Sequence, residues 1–396
     1  MPYGSVGGME RLALTFYNHY RAIGCEVKAL KIIALESDII RFGDDQLHLS
    51  TIDFAAMSPL KRLLFYANAP RRIRGIVKKY GITHSIAFGD MANVFSSLSF
   101  TNEFKVASIH SFKSIEFRHP DFLGKLFKLA YRTSYRYFGK VVCISNTIRV
   151  DLIENCQFGF PEKLEVIYNP HDIPQILRLA DEPLEKGEEK LFDGNTILFL
   201  GRLTIPKAPW HLINAFEMLL EKMPDARLVL VGDGNPDVTD CLTSLVERKN
   251  LTSQVIFLGR RDNPYKYLKA AQVTALTSYY EGTPNVIVES IALGVPVVSS
   301  NSTGGIGELM GFGDEKFDDG VCRMPSGLIT PTFFKGFVGI PKDFPPVPEE
   351  RIFAEALFEV MTDSKFVKAL AESRGKLLEK FDLATVAARY LKKPAL

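Results

Sequence analysis

The chain has 396 residues, of which 46% are hydrophobic and 24% are charged, a balance typical of globular proteins rather than disordered or fibrous ones. Its 48 Lys and Arg residues nearly cancel its 46 Asp and Glu residues, so the net charge of +2 does not indicate a nucleic-acid-binding protein. No apolar run reaches the roughly 18 residues that span a bilayer, and the opening residues lack the basic start and apolar stretch of a signal peptide.

The first half of the chain alternates strand-like and helical segments. Helices are predicted over Val6–Gly24, entered through the Gly7-Gly8 pair, and over Arg71–Gly81. The charged stretch Ala180–Lys190 has no apolar periodicity and is predicted to be a linker. The predicted strands of this half are CEVKALKII, THSIAFG, KVASIH, GKVVCIS and KLEVIYNP.

The second half shows the same alternation more clearly. Its predicted strands are TILFL (Thr196–Leu200), ARLVLV, QVIFLG, VTALTS and VPVVSS. Strands alternating with helices of about 10–15 residues indicate parallel sheets, so the expected fold is α/β with two doubly wound, Rossmann-like domains. We expect these domains to cover residues 1–185 and 186–380 and to face each other across a cleft. The site is expected in that cleft, at the carboxyl ends of the strands.

The most informative stretch is YYEGTPNVIVESIALGVP, at residues 279–296. Thr283 is a suitable N-cap and Pro284 a suitable first residue of a helix. The amides of Asn285 and Val286 then lie at the positive helix end, which favours a diphosphate.

Two carboxylates flank this helix start. Glu281 precedes it, and Glu289 lies five residues past Pro284, about 7.5 Å along the axis. A carboxylate there can accept hydrogen bonds from two vicinal hydroxyls, as ribose is usually bound. The same pattern is also typical of a capped amphipathic helix with two solvated glutamates.

Other candidates follow other strands. Gly201, Arg202 and Lys207 follow TILFL, where a glycine and two cations suit a phosphate, although two surface cations at a plain turn are the alternative. A GDG sequence ends at Gly234, and Thr303 begins a TGG sequence, which suits a backbone anion site or a simple turn.

The order GGxER, GRL-x3-K, VGDG, FLG, EGxPNxxxE, GxPVV and GG resembles that of retaining glycosyltransferases of family 4, which have the GT-B fold. The resemblance is continuous over 198–309 and looser over 7–170. It implies that residues 381–396 cross back to the first domain. It also implies a central first strand before the glycine loop, which the few residues before Gly7 are too short to form, so we expect the natural chain to begin upstream of Met1.

The resemblance also implies roles for individual residues, each at the position that matches a family motif. It implies that Arg202 and Lys207 bind the diphosphate, that Glu289 binds the ribose and that Arg260 contacts the base. It implies that Glu281 binds the donor sugar together with the turn beside it, which comprises Gly282, Thr283, Pro284, Asn285 and Val286. In the first domain it implies a phosphate contact from Gly8 and a histidine, His110, beside the donor sugar, and the further loop contacts to the donor are Gly201, Gly234, Thr303 and Gly304. His110 is also typical of a simple strand-end histidine.

The expected reaction needs no metal and no cofactor. No Asp-x-Asp sequence occurs, the seven histidines form no ligand pattern, and the five cysteines are scattered without a CxxC pair. Arg202 and Lys207 are expected to stabilise the departing nucleoside diphosphate instead. The resemblance assigns no general base.

The acceptor is expected to bind the first half, at an anionic membrane surface. Leu60–Tyr80 has seven cations and no acid, and Phe104–Lys140 has eight cations, two acids and nine aromatic residues, among them Phe112, Phe117, Phe122, Phe127, Tyr131 and Tyr135. A solvated helix face is the alternative, and no RNA-binding motif supports a nucleic-acid partner. We therefore expect a cytoplasmic protein attached to the inner face of the plasma membrane, where a lipid-linked acceptor is available.

The function expected from these residues is transfer of a hexose or N-acetylhexosamine from a nucleotide sugar, with UDP favoured over GDP. One alternative is a nucleotide-sugar 2-epimerase of the same fold, which needs acid/base carboxylates and a histidine in the cleft. Another is a non-enzymatic two-domain solute-binding protein, which needs export.

Overall fold

In a computed structural model, the chain forms two compact units, unit 1 from residues 1–170 and 383–396 and unit 2 from residues 171–382. The structure describes residues 1, 8–117, 122–312, 320–336, 339–341 and 343–393. Both units are α/β, with parallel strands predominating.

Unit 1 divides its strands between two separate parallel sheets. The strands are β1 (Ala29–Ile33), β2 (Gln46–Ser50), β3 (His84–Phe88), β4 (Phe104–Ile109), β5 (Lys140–Cys143) and β6 (Leu164–Val166). Its first six helices are α1 (Gly8–Ala22), α2 (Pro59–Lys79), α3 (Asp90–Ser97), α4 (Lys113–Glu116), α5 (Phe122–Arg132) and α6 (Asn146–Glu154). β1 pairs only with β2, while the second sheet has the order β3-β4-β5-β6, all as far as the described residues go.

A cavity of about 560 Å³ lies between these two sheets. Its lining includes Leu30 and Ile32 of β1, Ile86 and Phe88 of β3, and side chains of α1, α2 and α3. Met1 lies at its border, where its amino group donates to Leu30 O at 3.0 Å and its carbonyl accepts from Ile32 N at 2.9 Å. The facing edges of β1 and β3 otherwise have no strand partner in the described part of the chain.

Unit 2 has one continuous sheet. Its strands are β7 (Thr196–Leu200), β8 (Arg227–Val231), β9 (Val255–Gly259), β10 (Val273–Leu276), β11 (Val297–Ser300), β12 (Cys322–Met324) and β13 (Gly327–Thr330). They follow the order β12-β13-β11-β10-β7-β8-β9, and every pair is parallel except β12-β13. The helices are α7 (Ile173–Ala180), α8 (Pro209–Leu220), α9 (Pro236–Arg248), α10 (Tyr265–Ala270), α11 (Asn285–Leu293), α12 (Gly305–Met310), α13 (Pro348–Thr362) and α14 (Lys365–Leu378).

The last helix of the chain, α15 (Leu383–Leu391), belongs to unit 1. The Tyr20 hydroxyl of α1 donates to Ala387 O at 2.9 Å, and the Tyr390 hydroxyl lies 3.0 Å from Ser108 Oγ of β4. Tyr390 is fully buried, so this helix completes the core of unit 1.

The expected linker is wrong, because residues 180–190 are folded onto unit 2. Asp181 forms an ion pair with Lys269, Glu185 pairs with Lys266 at 2.7 Å, and Glu188 pairs with Arg261. Charged residues without apolar periodicity therefore dock here through ion pairs with α10 and the turn before it. The unit boundary consequently lies at Pro170 rather than at residue 185.

The aromatic part of the expected membrane surface is also largely wrong. Phe117, Tyr131 and Tyr135 are buried in the core of unit 1, and Phe112 and Phe127 pack against that core. The cations Lys105, Lys113 and Lys140 are buried as well. The aromatic side chains thus pack in the core of unit 1 instead of facing solvent, while the side chain of Phe122 lies outside the described residues.

Candidate functional site

The carboxyl ends of β7 and β10 form the switch point of the unit 2 sheet. From β7 the chain continues to β8 and β9 on one side, and then returns to β10 on the other side of β7. Loops diverge at such a point and leave a crevice, which is the usual ligand site of doubly wound sheets.

The structure brings Lys207 and Glu281 together at this switch point. Lys207 Nζ donates to Glu281 Oε1, and the two side chains are only 23% and 13% exposed. Lys207 ends the 3-10 turn Ile205–Lys207 after β7, and Glu281 lies in the loop after β10. A partly shielded ion pair keeps a strong field, because little water screens it.

Sequence reasoning missed the small polar residues that support this pair. Ser278 Oγ donates to Glu281 Oε1 at 2.6 Å, so both protein contacts of this carboxylate use the same oxygen. Thr277 Oγ1 donates to the carbonyls of Lys207 and Ala208 at 3.3 and 3.2 Å. Serine and threonine directly after a buried strand were the available signal, since a buried hydroxyl needs a partner.

The helix after Glu281 begins one residue later than expected. Pro284, with ψ of 110°, is the N-cap of α11 and Asn285 is its first residue, so Thr283 is not the cap. The proline ring restricts φ but leaves ψ extended, and a residue without an N–H loses nothing at this position. The amides of Asn285 and Val286 still belong to the first turn, whose donors have no acceptor within the helix.

Two exposed arginines follow β7 and β9, the strands on either side of β8. Arg202 follows β7 and Arg260 follows β9, and neither makes a hydrogen bond or ion pair with the described residues. Arg261, in contrast, donates to Glu188 at 2.6 Å and to Tyr267 at 3.1 Å. Arg202 and Arg260 therefore keep their guanidinium groups available for a ligand.

The glycines of the GDG turn are required by the protein backbone. A Cβ on Gly232 would lie 2.0 Å from Gly201 O, and a Cβ on Gly234 would lie 2.0 Å from Leu203 O. Leu203 also accepts from Asn235 N at 3.0 Å and donates to Asp233 O at 2.8 Å. These backbone contacts therefore hold the loop that carries Arg202 in place. A role of Gly234 in substrate binding stays a prediction.

The other residues expected at the site of unit 2 lie after β11 and on α11. Thr303 Oγ1 accepts from Gly305 N at 3.2 Å, and Gly304 is the N-cap of α12, directly after β11. Glu289 is half-buried on α11. Their contacts with a ligand stay predictions.

Unit 1 contains His110 and Gly8. His110 directly follows β4, and its Nε2 is shielded from solvent without a hydrogen-bond partner among the described residues. Burial, with a smaller contribution from the nearby Lys113, lowers the pKa of His110 to about 3. The ring is therefore neutral at physiological pH and able to accept or donate one hydrogen bond. Gly8 begins α1 and is exposed.

Lys113, next to His110, is held by surrounding acids. Its Nζ donates to Asp90 Oδ2 at 2.7 Å, to Ser111 Oγ at 2.9 Å and to Glu116. The Tyr131 hydroxyl donates to the other oxygen of Asp90 at 2.7 Å. The carboxyl end of the unit 1 sheet thus carries a fixed polar network beside the neutral histidine.

The described residues offer neither a metal cluster nor a membrane span. They contain no group of three or more His, Cys, Asp or Glu side chains placed to hold a metal ion. None of the described helices is both long and apolar enough to cross a bilayer. Metal independence stays a prediction.

Models of two families match the chain in succession. Residues 6–174 match Glycosyltransferase Family 4, and residues 181–322 match Glycosyl transferases group 1. The chain belongs to glycosyltransferase family 4. This result confirms the family inferred from the motif order.

Relatives and solved structures agree with this assignment. An uncharacterised glycosyltransferase of Methanocaldococcus jannaschii is 28% identical over 62% of this chain and 61% of its own length. A Campylobacter jejuni enzyme, N-acetylgalactosamine-N,N'-diacetylbacillosaminyl-diphospho-undecaprenol 4-alpha-N-acetylgalactosaminyltransferase, is 31% identical over 61% of this chain and 56% of its own length. The chain thus spans less than two thirds of each of these relatives.

The fold is that of known GT-B enzymes. The crystal structure of Anabaena HepE with UDP and glucose covers 98% of this chain and 96% of its own, with a TM-score of 0.70 and 20% identity. The expected GT-B fold is therefore confirmed.

Proposed function

We propose that the protein is a retaining glycosyltransferase that moves a hexose or an N-acetylhexosamine from a UDP-sugar to a lipid-linked saccharide. The observation that carries this proposal is the Lys207–Glu281 pair at the switch point of unit 2. The exposed Arg202 lies on the same loop after β7 as Lys207. Cations and the first amides of α11 suit a pyrophosphate, and a carboxylate suits sugar hydroxyls.

The cations act on the leaving group. Breaking the anomeric bond places new negative charge on the nucleoside diphosphate and gives the sugar oxocarbenium character. Lys207 is already fixed before the reaction, so it stabilises this charge without reorganising. Arg202 adds a planar fork that pairs with two phosphate oxygens. Together they supply the charge that a metal ion supplies in other transferases, so the proposed reaction is metal-independent.

Glu281 orients the sugar. Its Oε1 is shared by Lys207 and Ser278, whereas none of the described residues donates to Oε2, which is left for a sugar hydroxyl. Glu289, one turn into α11, is the proposed ribose ligand. Retention follows from attack on the face that the leaving phosphate vacates, with that phosphate taking the acceptor proton, so no protein base is assigned.

The named relatives support the choice of substrates. HepE was crystallised with UDP and glucose, and the Campylobacter jejuni relative is named for a diphospho-undecaprenol acceptor. These facts support a UDP-sugar donor and a lipid-linked acceptor. The proposed reaction belongs to the synthesis of a cell-surface polysaccharide or lipopolysaccharide.

A lipid-linked acceptor favours attachment to the membrane, and α2 offers a suitable surface. Leu60, Leu63 and Leu64 on this helix are 67%, 61% and 53% exposed. Exposed Lys61 and Arg71 lie on the same helix. We propose that these leucines enter the interface of an anionic bilayer on the cytoplasmic side while the cations bind its headgroups.

Turnover of UDP-sugars tests the proposed reaction. The wild-type protein is expected to release UDP from one member of a UDP-sugar panel, unchanged by EDTA, and Lys207→Met is expected to lower kcat/KM by about 100-fold or more. The control is Lys368→Met, at an exposed lysine of α14, which should keep wild-type turnover. Epimer formation without UDP release would overturn the proposal, and activity lost to EDTA and restored by manganese would overturn its metal independence.

Liposome flotation tests the membrane surface. The wild-type protein should float with anionic vesicles in low salt and less in high salt, because exposed charge pairs are screened. Changing Leu60, Leu63 and Leu64 together to serine should abolish flotation, while Leu177→Ser, at an exposed leucine of unit 2, should not. Equal flotation of all three proteins would contradict this role of α2.

A further inference from the structure

A buried chain of hydrogen bonds lies behind the Lys207–Glu281 pair. His211 Nδ1 lies 2.7 Å from Glu350 Oε1, and His211 Nε2 lies 3.0 Å from the Tyr279 hydroxyl. Trp210 Nε1 donates to the same hydroxyl at 3.2 Å. Trp210 and Glu350 are fully buried, so these contacts are not replaced by water.

The chain has a consistent arrangement of protons. Glu350 accepts from Asn214 Nδ2 at 2.9 Å through Oε1 and from Val347 N at 3.0 Å through Oε2. The contacts are satisfied when His211 donates from Nδ1 to this carboxylate and accepts the Tyr279 hydroxyl proton at Nε2. The hydroxyl oxygen then accepts from Trp210, so both ring nitrogens of His211 and the hydroxyl of Tyr279 have partners.

Tyr279 forms hydrogen bonds to the polypeptide on both sides of Lys207. Its backbone amide donates to Pro206 O at 2.8 Å, one residue before Lys207. Its hydroxyl reaches the first turn of α8, a few residues after Lys207. Ala208, between these two points, has φ of +43°, an unfavourable left-handed conformation that the surrounding contacts must hold.

Tyr279 also fixes the other partner of the pair. It lies two residues before Glu281 and directly after Ser278, which hydrogen-bonds to Glu281. The Tyr279 side chain thus joins the start of α8, just after the loop that carries Lys207, to the loop that carries Glu281. His211, stacked on Phe333 with ring centroids 4.6 Å apart and planes 8° apart, holds that side chain in place.

We propose that Tyr279 is a positioning residue of the nucleotide-sugar site and that His211 and Glu350 hold its hydroxyl. This inference rests on the proposed function, since the pair it positions is the proposed pyrophosphate and sugar site. The three residues lie on three separate elements, the loop after β10 and the helices α8 and α13, and this chain of hydrogen bonds joins their side chains. None of them is expected to touch the substrate.

Tyr279→Phe tests the proposal, because it removes the hydroxyl and keeps the ring and the backbone bond to Pro206. We expect UDP to bind about 10-fold more weakly by calorimetry, and kcat for the UDP-sugar to fall by a larger factor than KM rises. His211→Phe, which keeps an aromatic ring against Phe333, should act in the same direction and serves if the first variant folds poorly.

The matched control is Leu242→Val, in the core of unit 2 on α9 and outside this chain. It should lower the Tm by a few degrees, as we also expect for Tyr279→Phe, yet leave UDP affinity and kcat within about two-fold of wild type. A Tyr279→Phe protein with wild-type UDP affinity and kcat but a lowered Tm would overturn the positioning role. Failure of the wild-type protein to bind UDP would instead contradict the proposed function.

Discussion

Unit 1 and unit 2 are built from the same alternation of strand and helix, but they differ in how completely their sheets are closed. Unit 2 has seven strands in one hydrogen-bonded order. Unit 1 divides its strands between two sheets, with a cavity of about 560 Å³ between β1 and β3. Close packing and an unbroken ladder therefore constrain the loops of unit 2 more strongly than those of unit 1.

The difference explains why the motifs of unit 2 predict the geometry of its strand-end loops. Gly232 and Gly234 lie against the backbone of the loop that carries Arg202, so the motif residues and the loop geometry depend on each other. In unit 1, Gly8 has open space where a side chain would be. Neighbouring atoms therefore do not require a glycine at position 8 as they do at positions 232 and 234.

The largest expected effect contrasts these glycines. Gly234→Ala should destabilise the protein by about 3 kcal/mol, because the new methyl group would meet Leu203 O at 2.0 Å and the backbone must shift. Gly8→Ala should change stability by less than about 0.5 kcal/mol, since nothing lies within 4 Å. Urea unfolding of both variants measures this difference. Equal losses in the free energy of unfolding would contradict the prediction.

A second pair of variants compares the two interiors. Ala275→Leu, on the fully buried centre of β10, should cost about 1–3 kcal/mol through overpacking. Ala29→Leu, which faces the cavity beside β1, should cost nothing or stabilise by up to about 1 kcal/mol, because the added carbons fill empty space. Thermal unfolding distinguishes them, and a loss at Ala29 as large as at Ala275 would show that the cavity is closed in solution.

The smallest expected effect is a pH dependence from His110 in unit 1. Its pKa is about 3 when folded, against an ordinary value of 6.5, so the unfolded chain binds the proton first as pH falls. The contribution of this residue to stability is fully present above pH 6.5 and declines towards pH 3. His110→Gln should remove about 1 kcal/mol of the stability loss between pH 6.5 and 5.5. Parallel urea titrations at both pH values check this, and identical pH profiles would contradict it.

The sequence predicts the unit 2 strands and the residues at their carboxyl ends well, for a physical reason. TILFL forms β7 with the bounds expected for it, because a short run of apolar residues ending at glycine has few alternatives in a buried parallel sheet. Lys207 and Glu281 were both named from their motifs, 74 residues apart, and they meet because β7 and β10 are neighbours.

Other features depend on tertiary contacts that no local pattern reveals. The bond between His211 and Glu350 joins residues separated by 139 positions, and Glu350 resembles an ordinary polar residue at a helix start. The segment 180–190 has the composition of a linker, yet Glu185 finds Lys266 on α10. The basic, aromatic stretch of unit 1 has the composition of a surface, but Tyr131 and Tyr135 fill a core.

The divided sheet of unit 1 also affects how this unit comes apart. No described backbone hydrogen bond joins β1 directly to β3, so the β1–β2 pair is connected to the other strands mainly by a cluster of side chains that includes Ile33, Leu49, Ala87 and Phe95. A two-stranded ribbon is marginal by itself. Among the described strands, the β1–β2 pair is therefore expected to open more readily than the four-stranded sheet.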